Sequence, residues 1–179
     1  MNIFSKIIFK ILKDNTIRKI QNNKNSSIGQ SFRIGNYANI SLYDSSTISF
    51  GNNVDIRNSC HFFVGKDAKL LIEDNVFMNN FCSINVMDQI KIGENTLFGE
   101  GVKLYDHNHE YNHEKVEHQK FNSNPISIGK NCWLGSNVIV LKGVTIGDNC
   151  IIGAGCLVYK DIPPFTKVMN KSEHIVKPI

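Results

Sequence analysis

Apolar residues recur at every sixth position through the C-terminal third of the chain. Six of them stand in unbroken register: Ile128, Leu134, Val140, Ile146, Ile152 and Val158. The residue four positions after five of these is small or β-branched: Cys132, Val138, Val144, Cys150 and Cys156. An extended hexapeptide supplies one short strand and one corner, so three hexapeptides close a triangular coil of 18 residues. The pattern therefore predicts a solenoid of stacked coils with these residues inside.

The same period appears earlier in shorter stretches. Their members are Ile28, Ile34 and Ile40; Phe50, Ile56 and Phe62; Ile72, Met78 and Ile84; and Ile92, Phe98 and Leu104. Each break in phase is two residues or slightly more, which we interpret as bulged corners. We therefore predict an all-β fold, a parallel β-helix of six to seven coils occupying residues 26–164. Coils should lie about 4.8 Å apart, with glycine or asparagine at corners that require positive φ.

The two ends of this solenoid differ from its repeats. Residues 2–21 show helical spacing, and residues 1–25 carry six cations against Asp14. This amphipathic helix is expected chiefly to cap the first coil, with weak contact to an anionic membrane as the second role. At the other end, Pro163 and Pro164 are expected to stop the last coil, and residues 165–179 to form a tail along the solenoid.

Composition narrows the class of protein. A chain of 179 residues, 41% hydrophobic and 20% charged, fits one globular domain. Neither a transmembrane run nor a secretory signal is expected, and five unpaired cysteines favour a reducing compartment. All five stand four positions after an apolar anchor, so we expect them in the core. The net charge of +4 is concentrated before residue 26, so nucleic-acid binding is not indicated.

The repeat fails in one place, residues 105–124. This stretch holds four of the six histidines. A polar interruption of a regular scaffold cannot be core, and long loops on such scaffolds are usually functional. We therefore expect the chemistry of the protein at this protruding loop.

The run Asp106-His107-Asn108-His109 and the later segment PISIGKNCWLGSNVIVLKGVTIGDNCIIGAGCLVYKDIPP closely resemble the hexapeptide-repeat acyltransferases. They are most similar to the maltose/galactoside and the capsule or lipopolysaccharide O-acetyltransferases. The resemblance implies a left-handed β-helix and acetyl-CoA as co-substrate. A homotrimer is expected because flat solenoid faces and a loop that leaves its own coil suit an active site between subunits. The expected location is cytoplasmic. The acceptor it implies is a sugar hydroxyl, of a capsule or lipopolysaccharide glycan or precursor. A free sugar or an antibiotic is the alternative acceptor.

Site residues follow from the same resemblance. His107 matches the family histidine that takes the proton of the acceptor hydroxyl, a role open to a neutral imidazole near pH 7. His109 is the rival base. Asp106 could orient an imidazole, although neighbours in an extended chain point in opposite directions. Asp106, His109 and Asn85 are the expected acceptor contacts; Asn85 is expected to face inward, and Asn80 is a further candidate.

Coenzyme contacts are expected in the C-terminal coils, at Trp133, Ser136, Gly153, Ala154, Gly155 and Lys160. Trp133 should face outward at a corner, where a subunit interface could also bury it. Lys160 matches a family lysine near the nucleotide phosphates. Residues 169–173 depart from the Gly-x-Pro-Ala-Lys segment that often closes the family pattern, so contacts beyond Pro164 are open.

The same kind of solenoid also serves two other functions. The γ-type carbonic anhydrases use the same solenoid with three zinc-binding histidines, but this chain has no histidine on the coils after the loop. No metal is therefore expected. A non-catalytic solenoid would need neither the histidine loop nor the CWLGS and GAGCLVYKD segments.

Overall fold

A computed structural model describes the backbone of residues 3–171 and the side chains of residues 11–171. One helix, α1 (Ile3–Asn22), precedes a triangular prism with three parallel sheets, here called faces A, B and C. Face A contains β1 (Ser27–Ile28), β4 (Thr47–Phe50), β7 (Lys69–Ile72), β10 (Gln89–Ile92), β15 (Ile126–Ile128) and β18 (Thr145–Ile146). Face B contains β2 (Arg33–Ile34), β5 (Asp55–Ile56), β8 (Phe77–Met78), β11 (Leu97–Phe98), β16 (Trp133–Leu134), β19 (Ile151–Ile152) and β21 (Lys167–Val168). Face C contains β3 (Asn39–Leu42), β6 (His61–Val64), β9 (Ser83–Val86), β12 (Lys103–Tyr105), β17 (Ile139–Leu141) and β20 (Leu157–Val158).

Each coil takes one strand from each face, and the predicted left-handed parallel β-helix is confirmed. Between β12 and β15 the chain leaves the prism as an antiparallel hairpin, β13 (His107–Tyr111) and β14 (Val116–Ser123). The three edges of the prism are named AB, BC and CA after the faces that meet there.

The core is the predicted one. The hexad anchors from Ile34 to Val158 are buried, and all five cysteines are buried free thiols. Burial raises the pKa of the Cys132 thiol, and a hydrogen bond with Cys60 together with burial raises the pKa of Cys82. The cysteines therefore serve as small apolar residues.

The coil length was predicted correctly only for the C-terminal half. Ser27 pairs with Ser49, 22 residues further on; Lys69 pairs with Gln89, 20 further on; and Trp133 pairs with Ile151, 18 further on. The phase breaks interpreted as bulged corners are instead longer strands on faces A and C. Such strands bury two alternate residues each, as Ile48 and Phe50 do in β4. The prism is therefore wider at the CA edge over its first coils.

Positive φ occurs at the corners, as predicted. On the AB edge five asparagines with φ between 54° and 58° form a ladder in which side-chain amides bond from coil to coil at 3.0–3.3 Å: Asn53, Asn75, Asn95, Asn131 and Asn149. The equivalent positions of the BC edge are Tyr37, Ser59, Phe81, Gly101, Asn137 and Gly155. Asparagine and glycine tolerate this conformation at low cost, which favours the fold.

The C-terminal half of α1 covers the open end of the first coil. Ile20 is fully buried in the core, and Asn23 donates a side-chain hydrogen bond to the Tyr43 carbonyl at 3.0 Å. Ile11 and Leu12 stay about half exposed on the same helix. The described part of the chain contains no helix long and apolar enough to cross a bilayer. These contacts fit the expected capping role of α1.

The expectation that Pro163 and Pro164 stop the solenoid was wrong. Ile162 bridges to Ile146, and β21 pairs with β19, so a partial seventh coil reaches Val168. The last coil donates to the preceding one through the residues that flank the two prolines: the Ile162 N–H bonds to the Thr145 carbonyl and the Phe165 N–H to the Asp148 carbonyl, at 2.9 Å each. Proline lacks an N–H, but at these two positions it interrupts neither bond. Residues 172–179, the rest of the expected tail, lie outside the described residues.

Candidate functional site

The histidine-rich stretch is a β-hairpin on the CA edge. Sequence analysis expected an irregular loop here, but β13 and β14 pair in register, with His107 opposite Ser123 and His109 opposite Phe121. Residues directly opposite in an antiparallel pair share one face of the ribbon. His107, His109 and Phe121 therefore lie together on one face, and Asn108 and Asn122 lie on the other.

Asp106 lies where the chain leaves the prism and enters the hairpin. Its side chain is fully buried, and its carboxylate accepts the backbone N–H groups of Met87 and Asp88 at 2.8 Å each. In earlier coils such corner N–H groups bond to carbonyls of the next coil, as Gly65 bonds to the Val86 carbonyl. Here the next coil departs into the hairpin, so the carboxylate replaces the missing carbonyls. The expected acceptor contact at Asp106 was wrong, because a fully buried side chain cannot reach a ligand.

The same carboxylate holds His107. Its Oδ1 lies 3.0 Å from Nδ1 of the imidazole. The objection that neighbouring residues point apart does not apply, because the chain turns out of the coil between them. A carboxylate can only accept here, so Nδ1 carries the proton and Nε2 presents its lone pair. Phe121 packs edge-on against the ring, with centroids 5.2 Å apart, and leaves the side chain only 16% exposed. The imidazole is thus fixed in orientation and in tautomer.

The rival histidine is held differently. His109 is exposed, and its Nδ1 faces the backbone carbonyl of Glu117 at 3.0 Å rather than a carboxylate. Its ring packs on the other side of Phe121 at 4.8 Å. His113 and His118 are exposed residues of the hairpin. Of the four hairpin histidines, His107 alone is seated on a buried carboxylate.

Two contacts of the hairpin were missed by sequence analysis. Phe121 separates the two imidazoles, and Lys142 of the CA edge donates a hydrogen bond to the Asn122 side chain and ties the hairpin to the next coil. The lone phenylalanine between polar residues in HQKFNSN was an available signal for Phe121. No local signal marks the Lys142 contact, since it depends on the hairpin register.

Asn85 was expected to face inward, and this expectation was wrong. Ile84 and Val86 point into the core, so Asn85 lies on the outer surface of face C. Its Nδ2 donates to Ser83 Oγ at 3.0 Å, and it stands in register between Phe63 and Tyr105 of the adjacent coils. Asn80 lies elsewhere, on the BC edge, where its Oδ1 accepts the backbone N–H of Asn58 at 3.0 Å.

Four of the expected coenzyme residues are brought together on the BC edge. Gly153, Ala154 and Gly155 stack on the corner that holds Ser136, whose carbonyl accepts the Gly155 N–H at 2.8 Å. The coils approach closely here: a Cβ on Gly135 would lie 2.6 Å from the Ala154 nitrogen. Ser136, Ala154 and Gly155 are exposed, so this edge offers backbone to a ligand.

The other two expected coenzyme residues lie apart from that group. Trp133 faces outward as expected, 53% exposed, but it sits on flat face B rather than at a corner. Lys160 lies on the CA edge, on the same side of the prism as the hairpin, with Nζ 5.6 Å from the Tyr159 ring. Within one chain the expected coenzyme residues therefore occupy two edges and one face.

The base and the BC edge are also separated within one chain. Gly101 on the BC edge and His107 are six residues apart along face C, a path of up to about 20 Å in extended chain. The imidazole and the exposed backbone of the BC edge therefore lie at opposite ends of face C. Among the described side chains, those of residues 11–171, no group of three or more His, Cys, Asp or Glu is placed to hold a metal ion.

Comparisons with known proteins agree with this architecture. Residues 125–160 match the family described as the hexapeptide repeat of succinyl-transferase. Nodulation protein L of Rhizobium meliloti (strain 1021) is 41% identical over 101 residues, covering 56% of this chain and 55% of its own length. The galactoside O-acetyltransferase of Escherichia coli (strain K12) is 36% identical over 116 residues, covering 64% of this chain and 55% of its own. A solved galactoside acetyltransferase in complex with coenzyme A superposes with a TM-score of 0.50 at 32% identity, covering 75% of this chain and 58% of that one.

The prism defines a protein with the left-handed β-helix fold, and its C-terminal coils match the hexapeptide repeat. The predicted resemblance to the hexapeptide-repeat acyltransferases is confirmed by the matched repeat and by these relatives. The chain spans about half the length of the curated relatives named above.

Proposed function

We propose that this protein is an acetyl-CoA-dependent O-acetyltransferase that acts on a sugar hydroxyl. The observation that carries the proposal is the Asp106–His107 pair, a buried carboxylate 3.0 Å from Nδ1 of a largely buried imidazole. A non-catalytic solenoid has no use for an imidazole held in one tautomer. The similarity to galactoside O-acetyltransferase and to a structure with coenzyme A supports the reaction and its co-substrate.

His107 acts as the general base in this proposal. Nε2 removes the proton from the acceptor hydroxyl while that oxygen attacks the thioester carbonyl. The tetrahedral intermediate then collapses, the carbon–sulfur bond breaks, and the imidazolium returns the proton to the leaving thiolate. Asp106 is a positioning residue that stabilises the imidazolium without touching the substrates.

The active protein is a homotrimer in this proposal. The CA edge, with His107 and Lys160, would lie against the BC edge of a second copy, with Ser136 and Gly155. Three such contacts close a ring, and each places one base beside one coenzyme stretch. The arrangement is supported by the division of the expected coenzyme residues between the same two edges, since Lys160 would then reach the partner's groove.

The acceptor class is a capsule or lipopolysaccharide glycan or its precursor, rather than a free sugar or an antibiotic. The choice is supported by similarity to the putative lipopolysaccharide biosynthesis O-acetyl transferase WbbJ of Escherichia coli (strain K12), which is 28% identical over 106 residues.

The reaction is tested by following thiol release from acetyl-CoA in the presence of galactosides and of bacterial oligosaccharides. We expect acceptor-dependent release by the wild-type protein and its loss in His107→Ala, with coenzyme affinity unchanged. Equal release by both proteins would overturn the proposal.

The trimer is tested by mixing two inactive variants, His107→Ala and Ser136→Trp, which blocks the exposed BC edge. Random mixed trimers regain about a quarter of the wild-type sites, because a site needs an intact base from one copy and an intact edge from the next. Mixed trimers without regained activity would contradict the shared site, and a monomer by light scattering would contradict the assembly.

Weak contact of α1 with an anionic membrane is a separate proposal. It is supported by exposed Ile11 and Leu12 beside Lys13. We expect weak, salt-sensitive sedimentation with phosphatidylglycerol vesicles, and none with phosphatidylcholine vesicles. Equal sedimentation with both lipids would remove the electrostatic contribution.

A further inference from the structure

The BC edge changes character along its length. From the fourth coil onward its positive-φ positions are Gly101, Asn137 and Gly155. In the first and third coils the equivalent positions are Tyr37 and Phe81, with φ of 58° and 62°. These two aromatic side chains are 65% and 57% exposed. One edge therefore joins a stretch of small residues to a stretch that presents aromatic rings.

Aromatic residues are costly at these positions. A positive φ is uncommon for bulky side chains, and the other corners of this edge avoid the strain with glycine, asparagine or serine. Both rings are more than half exposed, so each presents an apolar surface on the BC edge.

The spacing of the two rings defines what they could hold. Backbone hydrogen bonds link Ser59 to Asn36 and Phe81 to Asn58, so Ser59 occupies the coil between the rings. Two coil spacings place Tyr37 and Phe81 about 10 Å apart. A single pyranose cannot contact both rings, whereas a chain of linked sugars can.

Amide groups lie beside the rings. Asn58 Oδ1 accepts the Asn36 N–H at 2.8 Å, and Asn80 Oδ1 accepts the Asn58 N–H at 3.0 Å. Each oxygen is thereby engaged, and the NH₂ groups are the part of these amides suited to donate to a ligand. Rings for the C–H faces of sugars, with donors for their hydroxyls, are the combination that recognises a glycan.

We propose that Tyr37 and Phe81, with Asn58 and Asn80, form a glycan ridge that binds an acceptor of several linked sugars. This proposal rests on the proposed acetyltransferase function for the location of the reacting hydroxyl. The Gly101 N–H bonds to the Asn80 carbonyl, so the ridge ends where the coenzyme stretch begins. The acceptor lies along the N-terminal half of the edge, and its terminal hydroxyl meets the thioester at the fourth coil. The ridge thus selects oligosaccharides over free sugars.

The test uses Tyr37→Asn, Phe81→Asn and the double variant. Asparagine already occupies the same corner position at Asn137, so these variants are expected to fold at least as well as the wild type. The matched control is Phe165→Asn, because Phe165 is also an exposed aromatic residue at positive φ, but on the AB edge. Probes are galactose, N-acetylglucosamine and sialic acid ladders of one to six units, measured for binding by saturation-transfer NMR and calorimetry without coenzyme.

We expect affinity to rise with chain length up to the span of the ridge. Each single variant should lower oligosaccharide affinity about tenfold, and Phe165→Asn should leave it unchanged. In turnover, the variants should raise KM for oligosaccharides, with kcat and the rate with single sugars unchanged.

Length-independent affinity, no binding of any ladder, or an equal loss in Phe165→Asn would overturn the glycan ridge. A ring variant that changes the oligomeric state would overturn it in favour of a subunit contact. Ladder binding without acetyl transfer would leave the ridge standing and remove the proposed function. Acetyl transfer that is insensitive to both ring substitutions would remove the glycan ridge and leave the proposed function standing.

Discussion

The first three coils and the last two complete coils are built to different dimensions from the same repeat. The early coils advance by 22 or 20 residues, and their core holds Phe50 and Phe62. The last two advance by 18, and their core anchors are aliphatic, such as Leu134 and Val140. Cross-section and core volume change together, because close packing leaves no room for a mismatch. One solenoid can thus carry two surfaces of different shape.

The hairpin marks the joint between these regions. Where the wide coils end, the corner at Met87 and Asp88 has no coil above it to accept its N–H groups. Asp106 takes them and holds His107 with the same carboxylate. The Asp106 carboxylate satisfies these N–H groups where the width of the coils changes. The same carboxylate therefore positions the imidazole.

The largest effect is expected from removing the imidazole at the joint. His107→Ala should lower kcat by about 10²–10⁴-fold, because no other group takes the proton. Its control is His109→Ala, which removes the neighbour on the same face of the hairpin and should change kcat by less than about threefold. Steady-state kinetics decide between them, and the opposite ranking would transfer the role to His109.

Core truncations should separate the wide coils from the narrow ones. Phe62→Ala should lower the free energy of unfolding by about 3–5 kcal/mol, and Val140→Ala by about 2 kcal/mol. Both residues are fully buried anchors on face C, so they differ in volume and not in exposure. Urea denaturation measures both values, and similar losses would contradict a difference in cross-section.

Asp106 should show a fold defect and a kinetic defect together. Asp106→Ala leaves two buried N–H groups unpaired and should lower the free energy of unfolding by about 2–4 kcal/mol. Asp106→Asn keeps one acceptor oxygen, so it should be more stable than the alanine variant and still lose at least about tenfold in kcat. Nitrogen NMR of His107 should show the proton on Nδ1 in the wild type and a mixture in Asp106→Asn; an unchanged tautomer would contradict the positioning role.

The smallest effect is expected at the cysteines, which occur in both regions. The native protein should not react with Ellman's reagent, because all five thiols are buried. Five thiols should appear on unfolding in urea. Prompt reaction of any thiol in the native state would show local opening of the coil that carries it.

The narrow coils could be predicted closely and the wide coils only in part. From Ile128 to Val158 every anchor is separated by one hexapeptide, so local spacing determines the inward positions. In the wide coils only TISF alternates polar and apolar residues, which was an available signal for a longer strand, whereas HFFV and KLLI show no such alternation in sequence. In the sequence, two extra residues that lengthen a strand cannot be distinguished from two that lengthen a corner.

His107 could be singled out as a candidate from its motif, but its supporting contacts could not be predicted. The partners of Asp106 are backbone groups of Met87 and Asp88, and backbone groups carry no sequence signal. The outward direction of Asn85 follows from strand alternation next to the buried anchor Ile84, so this direction could have been predicted. Contacts between distant segments, such as Lys142 with Asn122, require the register of the hairpin.

Because the coils are evenly stacked, the length of the BC edge grows by a fixed step with each coil. Each coil added before the hairpin would lengthen this edge by about 4.8 Å and leave the joint at Asp106 untouched. A duplication of residues 51–72, one wide coil, would therefore move α1 further from the hairpin by a fixed increment. In such a scaffold, reach along the edge is set by the number of repeats and can be lengthened or shortened in whole coils, without redesign of any single side chain.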